Sequence, residues 1–156
     1  MLLTAPSIRY ITVTPTVLNA DAYDANDVIF DVTAIPDACR GIGIPTILDS
    51  IVILEGADQA AANMTLHFFN GSGTFGTADA APSISDADAA FSLGAYTMAS
   101  ASFLDYTNSR VASAHNLRMI MIPKAGTTSI YVAGQTAGTP TYATGSLVLR
   151  FGFRDL

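Results

Sequence analysis

Few residues in this 156-residue chain are equipped for chemistry: two histidines, His67 and His115, one cysteine, Cys39, and thirteen acids, of which Glu55 is the sole glutamate. Two well-separated histidines and one cysteine do not supply the four closely spaced N and S ligands of a tetrahedral zinc site. His67 lies in Thr65-Leu66-His67-Phe68-Phe69, where strand alternation turns it away from Leu66 and Phe68 and toward solvent. His115, in Ala114-His115-Asn116, is expected at a turn. A Ser-His-Asp set can come in any chain order. The Gly-x-Ser-x-Gly elbow is nevertheless missing, since Gly71-Ser72-Gly73 and Gly145-Ser146 lack its spacing. Asp79, Asp86 and Asp88 offer oxygen ligands without the EF-hand order of a central Gly and closing Glu. Asp21, Asp24 and Asp27 form a second acidic loop, with solvation as the plain reading and a weak cation as the alternative. Neither a dinucleotide fingerprint nor a Walker A loop occurs, and Gly71-Ser72-Gly73 has no lysine to hold phosphate. Asn63-Met64-Thr65 and Asn70-Gly71-Ser72 match the glycosylation pattern, but with no secretion signal expected at the N-terminus they are expected to be chance matches. Cys39, alone, reads as a small hydrophobe. The expectation is a protein with no catalytic, metal or cofactor residues, and not an enzyme.

The elements that would position these groups are strands. Runs of β-branched and aromatic residues, separated by Gly, Pro, Asn and Asp, cover Ile8 to Leu18, Asp27 to Ile35, Thr46 to Leu54 and Met64 to Phe69. They continue at Ala95 to Leu104, Leu117 to Ile122, Ser129 to Gln135 and Ser146 to Phe153. In the last run, alternation places Leu147, Leu149, Phe151 and Phe153 on one face and Val148, Arg150, Gly152 and Arg154 on the other. Residues 75–93, rich in Ala, Ser, Asp and Gly, read as a long loop with one helical turn, Ser85 capping it and Asp86 and Asp88 in its first turn. Eight strands with almost no helix predict an all-β, eight-stranded jelly-roll-like sandwich, with an open barrel as competitor. A single domain over 1–156 is expected, with residues 1–6 a possible N-terminal arm and the 75–93 loop a variable contact surface.

Composition says how such a sandwich meets its surroundings. Charged residues make up 13% of the chain, with one lysine, Lys124, where an ordinary domain carries about 25%. The longest apolar stretch, Ile42 to Leu54, is broken by Pro45 and Asp49 and falls short of the roughly 18 residues of a membrane helix, so no membrane partner is expected. A net charge of −6 opposes binding nucleic acid through phosphates. Eleven acids and two bases fall in residues 1–100, against two acids and five bases in 101–156. Either the two halves interleave in one sheet or oppositely charged faces of neighbouring subunits meet. A chain this apolar is expected to cover part of its surface by association.

The C-terminal run GTPTYATGSLVLRFGFRDL, with the preceding IYVAGQTA, resembles the ending of small structural proteins of tailed bacteriophages. The resemblance covers about a quarter of the chain and lies in texture more than in an invariant motif. It implies a capsid decoration or cement protein, often a jelly roll that forms a homotrimer and docks on the major capsid protein at the virion surface, after synthesis in the host cytoplasm. Interface candidates are Met1, Leu2 and Leu3 in an apolar arm spanning Met1 to Pro6, and Arg150, Phe151, Phe153 and Arg154, since arginine and aromatics are enriched at interfaces. The alternative function is a fibre or adhesin head domain that recognises surface carbohydrate through the 75–93 loop and its Phe75 and Phe91.

Overall fold

A computed structural model describes residues 8–18 and 21–156. Its strands are β1 (Ile8–Val13), β2 (Val28–Ile35), β3 (Thr46–Glu55), β4 (Met64–Phe69), β5 (Ser92–Met98), β6 (Phe103–Asp105), β7 (Arg110–Met121), β8 (Ile130–Thr136) and β9 (Leu147–Asp155). Among the described residues, helix is confined to α1 (Asp86–Ala89) and one 3-10 turn at Ser100–Ser102. The strands form two antiparallel sheets in the orders β1-β9-β3-β7-β6 and β2-β8-β4-β5. Apart from the β4 to β5 and β6 to β7 connections, each link carries the chain from one sheet to the other, so sheet neighbours are seldom sequence neighbours. This interleaved order is the jelly roll, and the fold is the expected β-sandwich.

Three local expectations change. The run Ala95 to Leu104 is broken by the 3-10 turn into β5 and β6, which gives nine strands instead of eight among the described residues, β6 being a three-residue edge piece. β7 starts at Arg110, so His115 sits within a strand and not at a turn; Asn116 and Arg118 take positive φ there, which bends the strand without ending it. β1 stops at Val13, two residues before Pro15, whose ring has no N–H for a ladder.

The core lies between the sheets and is built by alternation. Leu147, Leu149, Phe151 and Phe153 of β9 and Leu48, Ile51 and Ile53 of β3 meet Leu66 and Phe68 of β4 and Ile130 and Val132 of β8, all fully buried. Phe68 and Phe151 stack edge to face across the gap at 5.9 Å. Gly134 of β8 is required there, because a Cβ would run into the Phe30 ring. The two differently charged halves interleave: Arg154 pairs with Asp49 at 3.3 Å, Arg110 with Asp58 at 3.4 Å, and Asp155 takes Arg9 at 3.3 Å and Arg40 at 3.0 Å.

Candidate interaction face

Each sheet has an outer side, and the two are finished differently. The β4 to β5 connection begins and ends in the same sheet, so its chain stays on that sheet and lies across it. Phe75 from this connection packs with Val28, Phe69 and Ala133, flanked by Val32, Phe91 and Tyr131, into a second small core on the outer side. Asp31 of β2 pins the segment by accepting the Phe75 and Gly76 N–H groups at 2.7 and 3.3 Å. Backbone bonds from Val28 N–H to the Ala80 carbonyl and from Asp79 N–H to the Val28 carbonyl tie it down again. Ser85 caps α1 as its sequence suggests, accepting the Asp88 N–H at 3.1 Å while its hydroxyl donates to the Asp88 carboxylate at 2.9 Å.

The five-stranded sheet has no such layer among the described residues. Its cross-strand pairs set rows of outward side chains: Val148, Leu54, Val111 and Leu104 run across β9, β3, β7 and β6, and Ile8, Arg154, Ile47 and Ile120 run across β1, β9, β3 and β7. Tyr10 is 63% exposed, Leu104 60%, Ile120 56%, and Ile8 and Leu54 are exposed as well. Val52, Leu54, Val111, Val148 and Arg150 line an open depression of about 190 Å³ in this face. Glycine at 152 permits the close layer here, since a Cβ would collide with Ser50 Oγ and stand 3.1 Å from the Tyr10 ring. Exposed large hydrophobics are ordinary when scattered. Here they are aligned in two cross-strand rows toward opposite ends of the sheet, separated by the rows Thr12-Arg150-Val52-Ser113 and Tyr10-Gly152-Ser50-His115, and such grouped apolar surface marks an interaction site.

The expected interface residues fall on both sides of this sheet. Arg150 is exposed on the outer face beside the depression, and Arg154 is half-buried in its pair with Asp49. Phe151 and Phe153 are both 0% exposed, because the same alternation that turns the arginines out turns the rings inward. They are core, which corrects the expectation that they form contact surface. Met1, Leu2 and Leu3 lie outside the described residues. Sequence reading missed Ile8, Tyr10, Leu54, Leu104 and Ile120 as a set. A signal existed in β3, where Ile51-Val52-Ile53-Leu54 is apolar on both sides of the strand.

The chemistry-bearing residues stand apart. His67 is on β4 in one sheet, His115 on β7 in the other, and Cys39 in the loop after β2. His67 is half-buried instead of solvent-facing. Its ring stacks on Phe75 at 4.5 Å and its Nε2 lies 3.2 Å from Gln135 Oε1. Burial lowers its pKa below the usual 6.5, partly offset by the Gln135 contact. Burial also pushes the Cys39 thiol up to about 11, which makes it a poor nucleophile at neutral pH. Glu55 is buried beside a small cavity with Arg110 and Tyr142. Its carboxylate accepts the Ala57 and Gln59 N–H groups at 2.6 and 2.8 Å, a loop-pinning task. Burial and then the nearby Glu55 and Tyr23 raise the Tyr142 pKa. Asp27 accepts the Asp24 N–H at 3.0 Å, and among the described residues no three His, Cys, Asp or Glu side chains cluster as metal ligands would. Phe75 is buried, and Phe91 is half-buried under the Lys124 ammonium at 4.4 Å, so neither ring offers a sugar platform.

No protein-family description matches the chain, and no curated protein is similar to it. A chain of desmodium yellow mottle tymovirus superposes with a TM-score of 0.30 and 10% identity, over 99% of this chain and 84% of that one. A likeness at that score carries no argument.

Proposed function

We propose that this protein is a non-enzymatic structural component of a virion that binds an assembled capsid and stabilises it by bridging neighbouring capsomers, as decoration or cement proteins do. The observation that carries the reading is the outer face of the five-stranded sheet, uncovered by any described residue, where Leu54, Leu104, Val111 and Val148 form an apolar row and Arg150 stands at the depression beside it. The scarcity of lysine and glutamate supports it, since those residues keep a free surface solvated. The resemblance of the C-terminal run to small phage structural proteins supports it too. In this reading the bare face docks on the major capsid protein at the virion surface, and copies associate as the homotrimer that the resemblance implies. Many shallow contacts repeated over a lattice hold firmly without a deep pocket, because each bound copy raises the effective concentration of the next contact.

Cosedimentation of the purified protein with capsids stripped of it tests the reading. Wild-type protein is expected to pellet with them. Leu54→Asp combined with Leu104→Asp, both at exposed positions, is expected to weaken binding at least tenfold while leaving the circular dichroism spectrum unchanged. Undiminished binding by that variant would remove the face from the proposal, and no binding by the wild type would remove the function.

A further inference from the structure

A sheet edge exposes a row of unpaired backbone groups, and natural proteins blunt it by bulges, covering loops, short strands or charge. Three of the four edges here are blunted. β2 carries two register shifts against β8, and its Val28 is bonded on the free side to Asp79 and Ala80. β5 contains Gly94 at φ 117° and a register shift against β4. β6 has three residues, and β7 beyond it is bent by positive φ at Asn116 and Arg118. β1 differs. It reads Ile-Arg-Tyr-Ile-Thr-Val, pairs with β9 over all six residues without a shift, and among the described residues receives no backbone bond on its other side.

The side chains of β1 also look unfinished. Ile8 and Tyr10 are exposed on the outer face, and Ile11, which points between the sheets, is only half-buried. Arg9, the strand's one charge, is held within its own chain by the carbonyls of Asp37 and Ala38 at 3.1 and 3.0 Å and by Asp155 at 3.3 Å. It therefore does not project as a gatekeeper.

We propose that β1 is a self-pairing edge: β1 of a second copy adds to it antiparallel about a two-fold axis at Tyr10, joining two five-stranded sheets into one continuous sheet. Antiparallel partners share a face only if their residue numbers sum to an even value, so the pairs are Tyr10 with Tyr10, Ile8 with Thr12 and Arg9 with Ile11. This register sets an aromatic pair on the outer face, where cross-strand aromatics are favourable, and opposes no like charges. A two-fold centred on Ile11 would rest on Val13, which is already buried, and would leave Ile8 outside the ladder. A second copy is the occupant because the contact is self-complementary, as two-fold interfaces are. The inference does not rest on capsid binding. If copies also form trimers, it joins one trimer to the next.

Sedimentation of the full chain over a range of micromolar concentrations tests it. Wild-type protein is expected to associate. Tyr10→Lys and Tyr10→Glu are each expected to weaken association at least tenfold with an unchanged circular dichroism spectrum, and an equimolar mixture of the two to restore it. Tyr10→Cys is expected to cross-link with itself under mild oxidation, whereas Thr12→Cys, which faces Ile8 of the other copy, is not; wild type with its buried Cys39 is the control. A monomeric wild type, a Tyr10→Lys variant that associates as wild type does, a mixture that stays apart, or a stronger cross-link at position 12 than at 10 would each overturn the proposal. Capsid cosedimentation of Tyr10→Lys is a separate readout: bound capsids with lost pairing leave the function standing, and kept pairing without capsid binding leaves the edge standing.

Discussion

The two outer faces of this sandwich obey one alternation rule and end differently. On the four-stranded sheet, outward residues such as Val28, Phe69 and Ala133 vanish under Phe75 and its segment. On the five-stranded sheet, outward Tyr10, Leu54, Leu104 and Ile120 stay in water. The cause is topological. The β4 to β5 connection leaves and rejoins the four-stranded sheet and is long enough to lie over it, whereas the connection that leaves and rejoins the five-stranded sheet, β6 to β7, is only the short turn at 106–109. An apolar residue on the outward side of a strand thus calls for a second layer, which comes either from the same chain or from another molecule.

Mutations should separate those two outcomes. The largest effect is expected from Phe75→Ala, which empties the second core and should cost about 3–5 kcal/mol in chemical denaturation. Asp31→Ala should cost about 1–3 kcal/mol, by leaving the Phe75 and Gly76 N–H groups without their acceptor; amide exchange should quicken across residues 75–80 and not in β9. His67 gives the covered face a pH dependence. Its pKa is lowered in the folded chain, so the unfolded chain binds more protons below the usual 6.5, and stability should fall as pH drops from 6.5 to the folded value. His67→Gln should flatten that part of the thermal midpoint against pH curve. Smallest, Leu104→Ser on the bare face should change stability by no more than about 0.5 kcal/mol, because none of the described residues covers it. A cost at Leu104 as large as that at Phe75 would end the distinction between the faces.

Much of the fold was legible in particular residues. Met64 to Phe69 was bounded as β4 is, because Asn70-Gly71 ends the run with a turn signal. Ser85 with Asp88 named the only α-helix among the described residues, since capping is local chemistry. The Ala95 to Leu104 run failed because composition alone does not reveal a 3-10 turn between two apolar stretches. His115 was misplaced because Asn116 beside it looks like a turn, while pairing to β3 on both sides, Ser50 with His115 and Leu48 with Met119, carries the strand across a bulge at 116–118. Candidate contact residues fared less well: Phe151 and Phe153 have the composition of an interface and the facing of a core.

The sequence by itself determined that this chain is a β-sandwich poor in charge, with its β9 rings and arginines on opposite sides, because strand alternation and residue type are local properties. Only the tertiary structure decided which outward side is covered, which edge is open, and that His67 and Phe75 touch. Those depend on which sheet each connection returns to and on the cross-strand register, which bring together residues far apart in the chain.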